Sequence, residues 1–377
     1  MTAMLPERAG SFRAIYIDPP FNTGRTFAEY HDARDPEAWL AFMRPRLELA
    51  RALLAEDGAL FAEIDDTEVG ALLGLLDGIF GRKNRVSVVT VVRSAPTGHK
   101  AINPGPVNVT DFLLVYAKDK KKVRLARAVR PRATYDDAYK TWLDDPDLPP
   151  RRWTFRPLAR AAAQALGHES PAAARRALGA AEFAERTRRF ALDNARHVVR
   201  FAQPRYEAIG RRARAVVDRS RAEPDKVFVL RRANLSDFVV RGGNRVLSLA
   251  SKVRVLNGVA TLVEPLTNVW DDIPFQGIAR EGGVVFVRNK KPERLLARVL
   301  SLATDPGDWV LDPFAGSGTT AAVALKTGRR FVAIEEGDHA LTLAEPRLAR
   351  VVRGEDSTGI TGEVGFEGGG GFRVVEG

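Results

Sequence analysis

The chain has 377 residues, of which 45% are hydrophobic, enough for the core of one large domain or two ordinary ones. It contains no cysteine and five histidines, so disulfides, thiolate metal ligands and a thiol nucleophile are excluded, and we expect no metal site. Residues 1–10 do not resemble a signal peptide, and no apolar run approaches the roughly eighteen residues of a membrane span. We therefore expect a globular cytoplasmic protein with no membrane partner.

The net charge of +11 is concentrated in one stretch of the chain. Residues 151–221 hold 17 Arg and no Lys against 6 Asp and Glu, which accounts for the whole excess. One interpretation is a set of solvated helices made rich in Arg and Ala by coding bias. The other is a surface that contacts phosphates, because clustered arginines neutralise a polyanion.

The first part of the chain alternates predicted strands and helices. The apolar run 14–17 predicts a strand that ends at Asp18. A helix is predicted from Pro36, capped by Asp35, to a stop at Gly58, with a kink at Pro45. A strand at 59–64, a helix at 67–80 and strands at 86–92 and 112–116 follow. This alternation is typical of an α/β sheet.

The pattern loosens in the middle of the chain and then resumes. A basic run at 118–122 leads into Arg/Ala-rich helices between 158 and 221 and short strands at 227–230 and 238–240. After them we predict a helix at 292–303, a strand at 309–311, a helix at 318–326, a strand at 330–334 and a final helix at 339–351. We therefore predict an α/β domain in two parts, 1–118 and 264–354, an insertion at 119–263, and a Gly-rich tail at 355–377 that is flexible or a terminal strand.

A glycine loop follows one of the predicted strands and opens a helix. It runs from Asp312 to Thr320 and contains Phe314, Gly316, Ser317, Gly318 and Thr319. Such a loop lets backbone N–H groups approach a ligand closely. The next strand is followed by Glu335, which is placed to accept hydrogen bonds from both ribose hydroxyls of a nucleoside cofactor. A ligand-free turn is the alternative interpretation.

Asp18-Pro19-Pro20-Phe21 ends the other strong strand. Strand ends of the same sense share one edge of a parallel sheet, where ligands bind. The prolines fix the backbone and present the Pro19 carbonyl beside the Asp18 carboxylate, a pair of acceptors that suits an amine with two N–H bonds. Phe21 offers a flat face on which a base can stack. Asp-Pro-Pro alone is a common turn, but its combination with the glycine loop favours a binding site.

Together these motifs resemble the beta class of DNA amino-methyltransferases, which includes the Mod subunits of bacterial type III restriction-modification systems and orphan adenine methyltransferases. The resemblance rests on residues 18–24, 64–66, 268–273, 291–292 and 312–320, and on their order along the chain. In that class the catalytic motif precedes the recognition region and the cofactor motif comes last. The resemblance implies a Rossmann-like α/β methyltransferase sheet with circularly permuted motif order and an inserted target-recognition domain.

The resemblance also implies S-adenosylmethionine as cofactor, double-stranded DNA as substrate and a role for each motif residue. Asp18 and Pro19 would hold the target amine, Phe21 would stack on the flipped base, and Asn22, Thr23 and Gly24 would shape the pocket. Pro20 completes the catalytic Asp-Pro-Pro-Phe motif. The cofactor would be surrounded by Asp312, Phe314, Gly316, Ser317, Gly318 and Thr319, with Glu335 on its ribose and Lys291-Pro292 closing its methionine end. In the Arg-rich stretch we select Arg211, Arg212 and Arg214 as candidate contacts to DNA phosphates.

The motif order and the initial Asp favour the N6 amine of adenine, although the same chemistry would accept the N4 amine of cytosine. Methylation at cytosine C5 normally needs a cysteine adduct and is excluded. A protein or RNA methyltransferase is a second interpretation. Those that modify glutamine amides or ribosomal guanines usually begin the motif with Asn and place the cofactor loop before it. No Gly-x-x-x-x-Gly-Lys-Ser/Thr loop is present, so ATP-driven restriction would need a separate subunit. A homodimer stays open, and we expect association with the bacterial nucleoid.

One departure from the class concerns the start of the chain. Members normally carry a stretch with a short Gly-Asp motif before the catalytic strand, and thirteen residues precede Ala14 here. We expect either a shortened start or a cofactor wall supplied by another part of the protein. A DNA-binding subunit that has lost catalysis is therefore an alternative function.

Overall fold

The computed structural model describes residues 1–26, 31–95, 105–233, 235–256, 258–285 and 290–375. The chain divides into two compact units, the first formed by Met1–Ala128 and Thr267–Gly377, the second by Val129–Leu266. Residues 119–128, assigned to the insertion from the sequence, thus belong to the first unit. Backbone hydrogen bonds from Arg124 to Asp57 and from Ala126 to Leu302 hold this segment there. Among the described residues no helix is long and apolar enough to cross a membrane.

The N-terminal part of the first unit contains three helices and six strands in its described residues. They are α1 (Leu5–Arg8), β1 (Phe12–Ile17), β2 (Arg25–Thr26), β3 (His31–Asp32), α2 (Pro36–Leu53), β4 (Leu54–Ile64), α3 (Val69–Leu76), β5 (Arg85–Val92) and β6 (Thr110–Ala117). The predicted helix stop at Gly58 is wrong, because α2 gives way directly to β4 at Leu54. A Cβ at Gly58 would lie 2.9 Å from the carbonyl oxygens of Phe12 and Arg13, so this glycine allows β1 to approach closely.

The second unit contains more strand than the sequence pattern indicated. Its elements are β7 (Val129–Pro131), β8 (Thr141–Leu143), β9 (Phe155–Pro157), α4 (Leu158–Ala165), α5 (Pro171–Leu178), α6 (Ala180–Asp193), β10 (Val198–Ala202), α7 (Arg211–Ala222), β11 (Val227–Leu230), β12 (Phe238–Arg241), β13 (Asn244–Ser248), β14 (Val253–Leu256) and β15 (Val259–Pro265). Six strands form an antiparallel sheet in the order β11-β12-β13-β10-β8-β9, and three form a second sheet, β14-β15-β7. Helix α7 packs Val217 against Phe238 and Val240 of the larger sheet.

The chain then returns to the first unit. Its last elements are β16 (Val269–Trp270), α8 (Glu293–Ala303), β17 (Trp309–Asp312), α9 (Thr319–Lys326), β18 (Arg330–Ala333), α10 (Glu345–Val352) and α11 (Thr361–Val364). The expectation of a flexible or strand-forming tail is wrong for residues 355–364. Asp356 and Ile360 are buried, and the short helix α11 follows.

The first unit is built on a seven-stranded sheet in the order β16-β5-β6-β4-β1-β17-β18. All neighbouring strands run parallel except β6, which is antiparallel to both β4 and β5. Trp39, Met43 and Leu47 of α2 are fully buried in the core beside the central strands. This sheet confirms the Rossmann-like α/β fold, with β1 between β4 and β17, and with β17 and β18 supplied from the other end of the chain.

Candidate active site

The sheet register brings five acidic residues to one edge. Ile17 of β1 pairs with Ala62 of β4, so the next residues, Asp18 and Glu63, are neighbours. Asp312 ends the adjacent strand β17, and Glu335 follows β18, whose Ala333 pairs with Asp312. Because β6 runs in the opposite direction, its start brings Asp111 to this same edge. The two motifs selected from the sequence thus lie on neighbouring strands, as the parallel arrangement predicted.

Lys291 joins two of these carboxylates. Its Nζ lies 2.9 Å from Oδ1 of Asp18 and 3.5 Å from Oε1 of Glu63. The Tyr16 hydroxyl donates a hydrogen bond to the other oxygen of Glu63. The Lys291 ammonium also lies 4.7 Å from the centre of the Phe21 ring, a cation–π contact.

Burial shifts the pKa values of this cluster. Desolvation raises the pKa of Asp18 to about 6, although the positive charge of Lys291 lowers it. Desolvation also raises the pKa of Asp111 to about 6 and raises that of Glu63. Burial lowers the pKa of Lys291, but the Asp18 and Glu63 carboxylates outweigh this and raise it above its ordinary value. Lys291 therefore carries its charge throughout the physiological range.

The residues after Asp18 are held by hydrogen bonds to other segments of the first unit. The indole Nε1 of Trp39 donates to the Pro20 carbonyl at 2.7 Å. Asn22 adopts a left-handed backbone conformation with φ of 61°, and its side-chain amide donates to Glu68 at 2.7 Å. Its Oδ1 accepts the N–H of Arg34 at 2.7 Å. These contacts fix the path of the loop that carries the Asp-Pro-Pro-Phe motif.

The glycine loop is organised by Asp312. One carboxylate oxygen of Asp312 accepts the N–H of Phe314 at 3.0 Å, and the other accepts the hydroxyl of Thr320. Burial raises the pKa of Asp312 to about 7, although these hydrogen bonds lower it. Gly316 and Gly318 have positive φ values of 53° and 75°, which only glycine adopts without strain. The loop thus turns directly from β17 into α9.

Glu335 ties the glycine loop to the end of β18. Its Oε2 accepts the N–H of Gly316 at 2.7 Å. Its Oε1 accepts the N–H groups of Glu336 at 2.9 Å and Gly337 at 3.1 Å. The His339 ring lies 3.1 Å from the same oxygen. Glu335 therefore sets the shape of the loop in addition to any contact with a ribose.

The side chains of Ser317 and Thr319 are turned into the protein. Both are buried, and Arg347 donates to the Ser317 carbonyl at 3.2 Å and to the Thr319 hydroxyl at 2.8 Å. Arg347 also contacts Glu293 at 2.9 Å, and Glu293 in turn contacts Lys326. A cofactor in this loop would therefore meet backbone groups at positions 317 and 319.

The loop has the space and the donors for a nucleoside cofactor. A Cβ added at Gly316 would meet no atom within 4 Å, so open space faces the loop at this position. Phe314 is half-buried, and its ring centre lies 6.3 Å from that of Phe42. The loop opens a helix, and Glu335 supplies an acceptor at the end of the next strand. Among the described residues there is no group of acidic and histidine side chains that could hold a metal ion.

The three selected arginines lie in the second unit, at the start of α7. Arg211 and Arg212 are exposed, and neither forms an ion pair with any described residue. Arg214 is half-buried, and its Nε donates to the carbonyls of Tyr206 and Ile209 at 3.0 and 2.9 Å. A guanidinium held in this way is poorly placed for a phosphate, so we withdraw Arg214 from the predicted contacts.

Sequence reasoning missed Glu63, Tyr16 and Trp39. Glu63 had a visible signature, because it is the one charged residue in the apolar run 59–64. Trp39 is an apolar residue of the predicted helix that begins at Pro36, and the sequence pattern gave no indication of a hydrogen bond from its indole N–H to the Pro20 carbonyl. In the structure Lys291 also contacts Asp18. The Lys291-Pro292 motif had indicated a role at the cofactor and gave no indication of this contact.

A mostly parallel sheet with an acidic motif at the end of one inner strand and a glycine loop at the end of the next strand defines a Rossmann-like methyltransferase domain. The chain belongs to the DNA methylase family, whose model, N6_N4_Mtase, matches residues 12–346. It is 31% identical, over 97% of its length and 51% of the relative, to the "Probable type III restriction-modification enzyme HindVI Mod subunit" of Haemophilus influenzae. It is 27% identical, over 81% of its length and 45% of the relative, to the StyLTI Mod subunit of Salmonella typhimurium. The chain thus spans about half the length of these two curated relatives.

Proposed function

We propose that the chain transfers a methyl group from S-adenosylmethionine to the exocyclic N6 amine of a flipped adenine in duplex DNA. The observation that carries this proposal is the position of Asp18 and Pro19 at the end of β1, beside the glycine loop that follows the neighbouring strand β17. The names of the similar Mod subunits support a place in a restriction-modification system. Such a protein acts on chromosomal DNA, in the bacterial cytoplasm at the nucleoid.

The residues present account for the chemistry of amine methylation. An aromatic amine is a poor nucleophile because its lone pair is delocalised into the ring. The Asp18 carboxylate and the Pro19 carbonyl would accept hydrogen bonds that strengthen as positive charge develops on the nitrogen. S-adenosylmethionine, when bound, supplies an electrophilic methyl group on a sulfonium. Phe21 would hold the extrahelical base by stacking, which offsets part of the few kcal/mol that base flipping costs.

Sequencing of DNA from cells that express the chain, with detection of modified bases, tests this proposal. N6-methyladenine in one recurring sequence is the expected result. N4-methylcytosine in such a sequence would identify the cytosine-specific alternative instead. Unmodified DNA, together with tight binding of S-adenosylmethionine by the purified chain, would identify a DNA-binding subunit without catalysis.

The glycine loop gives a prediction for the cofactor site. Replacing Glu335 with alanine should raise the dissociation constant of S-adenosylmethionine by about tenfold or more, because charge-assisted hydrogen bonds of roughly 1.5–3 kcal/mol are lost. Isothermal titration calorimetry measures the change. The neighbouring Glu336 is exposed, so Glu336→Ala is a matched control that should bind the cofactor normally. Equal affinities of the two variants would move the ribose site elsewhere.

We propose that the second unit contacts the DNA backbone. It contains 27 Lys and Arg against 15 Asp and Glu, a net charge of +12, whereas the entire chain carries +11. Arg211 and Arg212 begin α7, where the backbone N–H groups of the first helical turn also face an anion favourably. The similarity to Mod subunits of type III restriction-modification enzymes supports a separate restriction subunit as a further partner.

Salt dependence tests the role of Arg211 and Arg212. Replacing both with glutamine should reduce the slope of log affinity against log salt by about 1.8, roughly 0.9 for each phosphate contact. The methylated sequence should not change, because phosphate contacts carry no base information. The control is Arg186→Gln with Arg189→Gln, two exposed arginines already paired with Glu182 and Asp193 on α6. Identical slopes for both double variants would show that Arg211 and Arg212 are only solvated surface.

A further inference from the structure

Three buried side chains stand behind Asp18 in one continuous line of contacts. The Tyr16 hydroxyl donates to Glu63, Glu63 contacts the Lys291 ammonium, and Lys291 contacts Oδ1 of Asp18 at 2.9 Å. The exposed fractions of the Glu63 and Lys291 side chains are 0% and 8%, whereas that of Asp18 is 20%. Asp18 is therefore the residue of this line that reaches the surface.

The geometry leaves one side of Asp18 for a substrate. Oδ1 is buried and lies beside the Lys291 ammonium, and no hydrogen bond between described residues ends on Oδ2. Lys291 and Trp39 hold different groups of the motif, the first the Asp18 carboxylate and the second the Pro20 carbonyl. A carboxylate held at one oxygen keeps its orientation, and orientation within a fraction of an ångström decides the rate of such a reaction.

The charges of the cluster argue against a second role for Lys291 at the cofactor. When both are ionised, Asp18 and Glu63 carry two negative charges against the one positive charge of Lys291. A carboxylate from the methionine end of a cofactor would add negative charge to a buried group that already has an excess of it. A cationic sulfonium or a developing positive charge on an amine would be stabilised by the same excess.

We propose that Lys291, supported by Glu63 and Tyr16, is a positioning residue that fixes Asp18 toward the target amine and makes no contact essential for cofactor affinity. This inference rests on the proposed methyl transfer to DNA. It replaces the role at the methionine end of the cofactor that the Lys291-Pro292 motif suggested. Pro292 has a separate structural role as the N-cap residue of α8.

A pH profile separates a positioning role from a merely structural one. The charged and titratable groups that face Asp18 from the surrounding strands and from the segment before α8 are Tyr16, Glu63, Asp111, Asp312 and Lys291, with Arg93 paired to Asp111 at 3.0 Å. Lys291 lowers the pKa of Asp18, so its removal should raise that pKa. Removal of the Glu63 charge should have the opposite effect, because the Asp18 and Glu63 carboxylates repel each other.

The experiment compares Lys291→Met, Glu63→Gln and the control Lys121→Met, an exposed lysine, in the full chain. We expect Lys291→Met to lower kcat by about 10²-fold through misplacement of Asp18, with the dissociation constant of S-adenosylmethionine within about twofold of wild type. The acid limb of kcat should move to higher pH in Lys291→Met and to lower pH in Glu63→Gln. Unchanged kcat with cofactor affinity weakened about tenfold would overturn the proposal and return Lys291 to the cofactor.

Two further measurements cover the remaining outcomes. If Lys291→Met does not fold, the double variant Lys291→Met with Glu63→Gln takes its place, because it removes the charges of both buried side chains. This double variant should show the same loss of kcat with normal cofactor binding. If the wild-type chain methylates no DNA, the proposed function fails while the positioning role can still be measured. Carbon-13 NMR of the Asp18 carboxyl, without cofactor, should then show a pKa that rises in Lys291→Met and falls in Glu63→Gln. An Asp18 titration that neither variant moves would overturn the positioning role.

Discussion

Replacing Asp18 with alanine is expected to abolish methyl transfer to DNA while the affinity for S-adenosylmethionine stays nearly unchanged. Asp18 would contact the target amine, whereas the cofactor would be held by the glycine loop and Glu335. Loss of one group that stabilises developing charge lowers kcat by about 10²–10³-fold in comparable sites, and here the same residue also orients the amine. Incorporation of a labelled methyl group measures the rate, and calorimetry measures cofactor affinity.

The control for this variant is Asp35→Ala. Asp35 is exposed at the N-terminus of α2, and its side chain forms no capping hydrogen bond, so methyl transfer should be unaffected. A circular dichroism spectrum should show that Asp18→Ala remains folded, since Lys291 keeps Glu63 as an ionic partner. Turnover of Asp18→Ala at the rate of Asp35→Ala would end the catalytic assignment of Asp18.

The wild-type chain should lose the proposed methyl transfer activity as the pH falls through about 6, the value to which burial raises the pKa of Asp18. The protonated carboxyl is neutral and would no longer stabilise positive charge on the amine. Activity should therefore be full well above pH 6 and decline below it. A profile of kcat against pH checks this, and a rate that stays constant down to pH 5 would mean that Asp18 is not required in its ionised form.

The fold and the two motifs could be predicted because each depends on local sequence. The apolar run before Asp18 and the glycine loop after β17 show periodicity and backbone requirements within a few residues. The boundary between α2 and β4 could not be found in this way. Leu53 and Leu54 are both apolar and both buried, so the change from helix to strand leaves no mark in the pattern.

The contacts that join Glu63 and Lys291 to Asp18 could not be predicted from local sequence patterns, for a different reason. Glu63 and Lys291 are far apart in the sequence. They are in contact because the fold places the start of α8 beside the end of β4. The pairing is a property of the sheet order, which places β4 next to β1. The position of a lone acid in an apolar strand could have indicated a buried partner, but not which residue provides it.

The buried charge network beneath the glycine loop was hidden for the same reason. Glu293, Lys326 and Arg347 lie on three helices, where charged residues are usually on the solvent side. All three side chains are fully buried and in contact, with Asp356 as fourth member. Residues after Gly354, assigned to a tail from their composition, are therefore tied to the core. Gly359 shows how closely, since a Cβ there would collide with the Glu293 carboxylate.

Replacing Lys326 with methionine should destabilise the chain by about 3–5 kcal/mol, because two buried carboxylates lose their shared partner. Lys326 lies 2.7 Å from Glu293 and 2.6 Å from Asp356, and it donates to the Thr358 carbonyl at 3.3 Å. Thermal and urea unfolding measure the change. The exposed Lys121→Met should stay within about 0.5 kcal/mol of wild type.

The pKa of Asp356 determines how the destabilisation caused by Lys326→Met changes with pH. Burial raises the pKa of this carboxyl, but hydrogen bonds from Lys326 and Thr358 outweigh burial and hold the pKa below its ordinary value. The stability that this shift contributes is present above the unfolded-state pKa and is lost as the pH falls through the folded-state value. The difference between wild type and Lys326→Met should therefore be larger at pH 8 than at about pH 2, because the folded-state pKa of Asp356 lies below the ordinary value of 3.8. A difference that is small at both values would show that Lys326 fills space in the core without holding the two carboxylates.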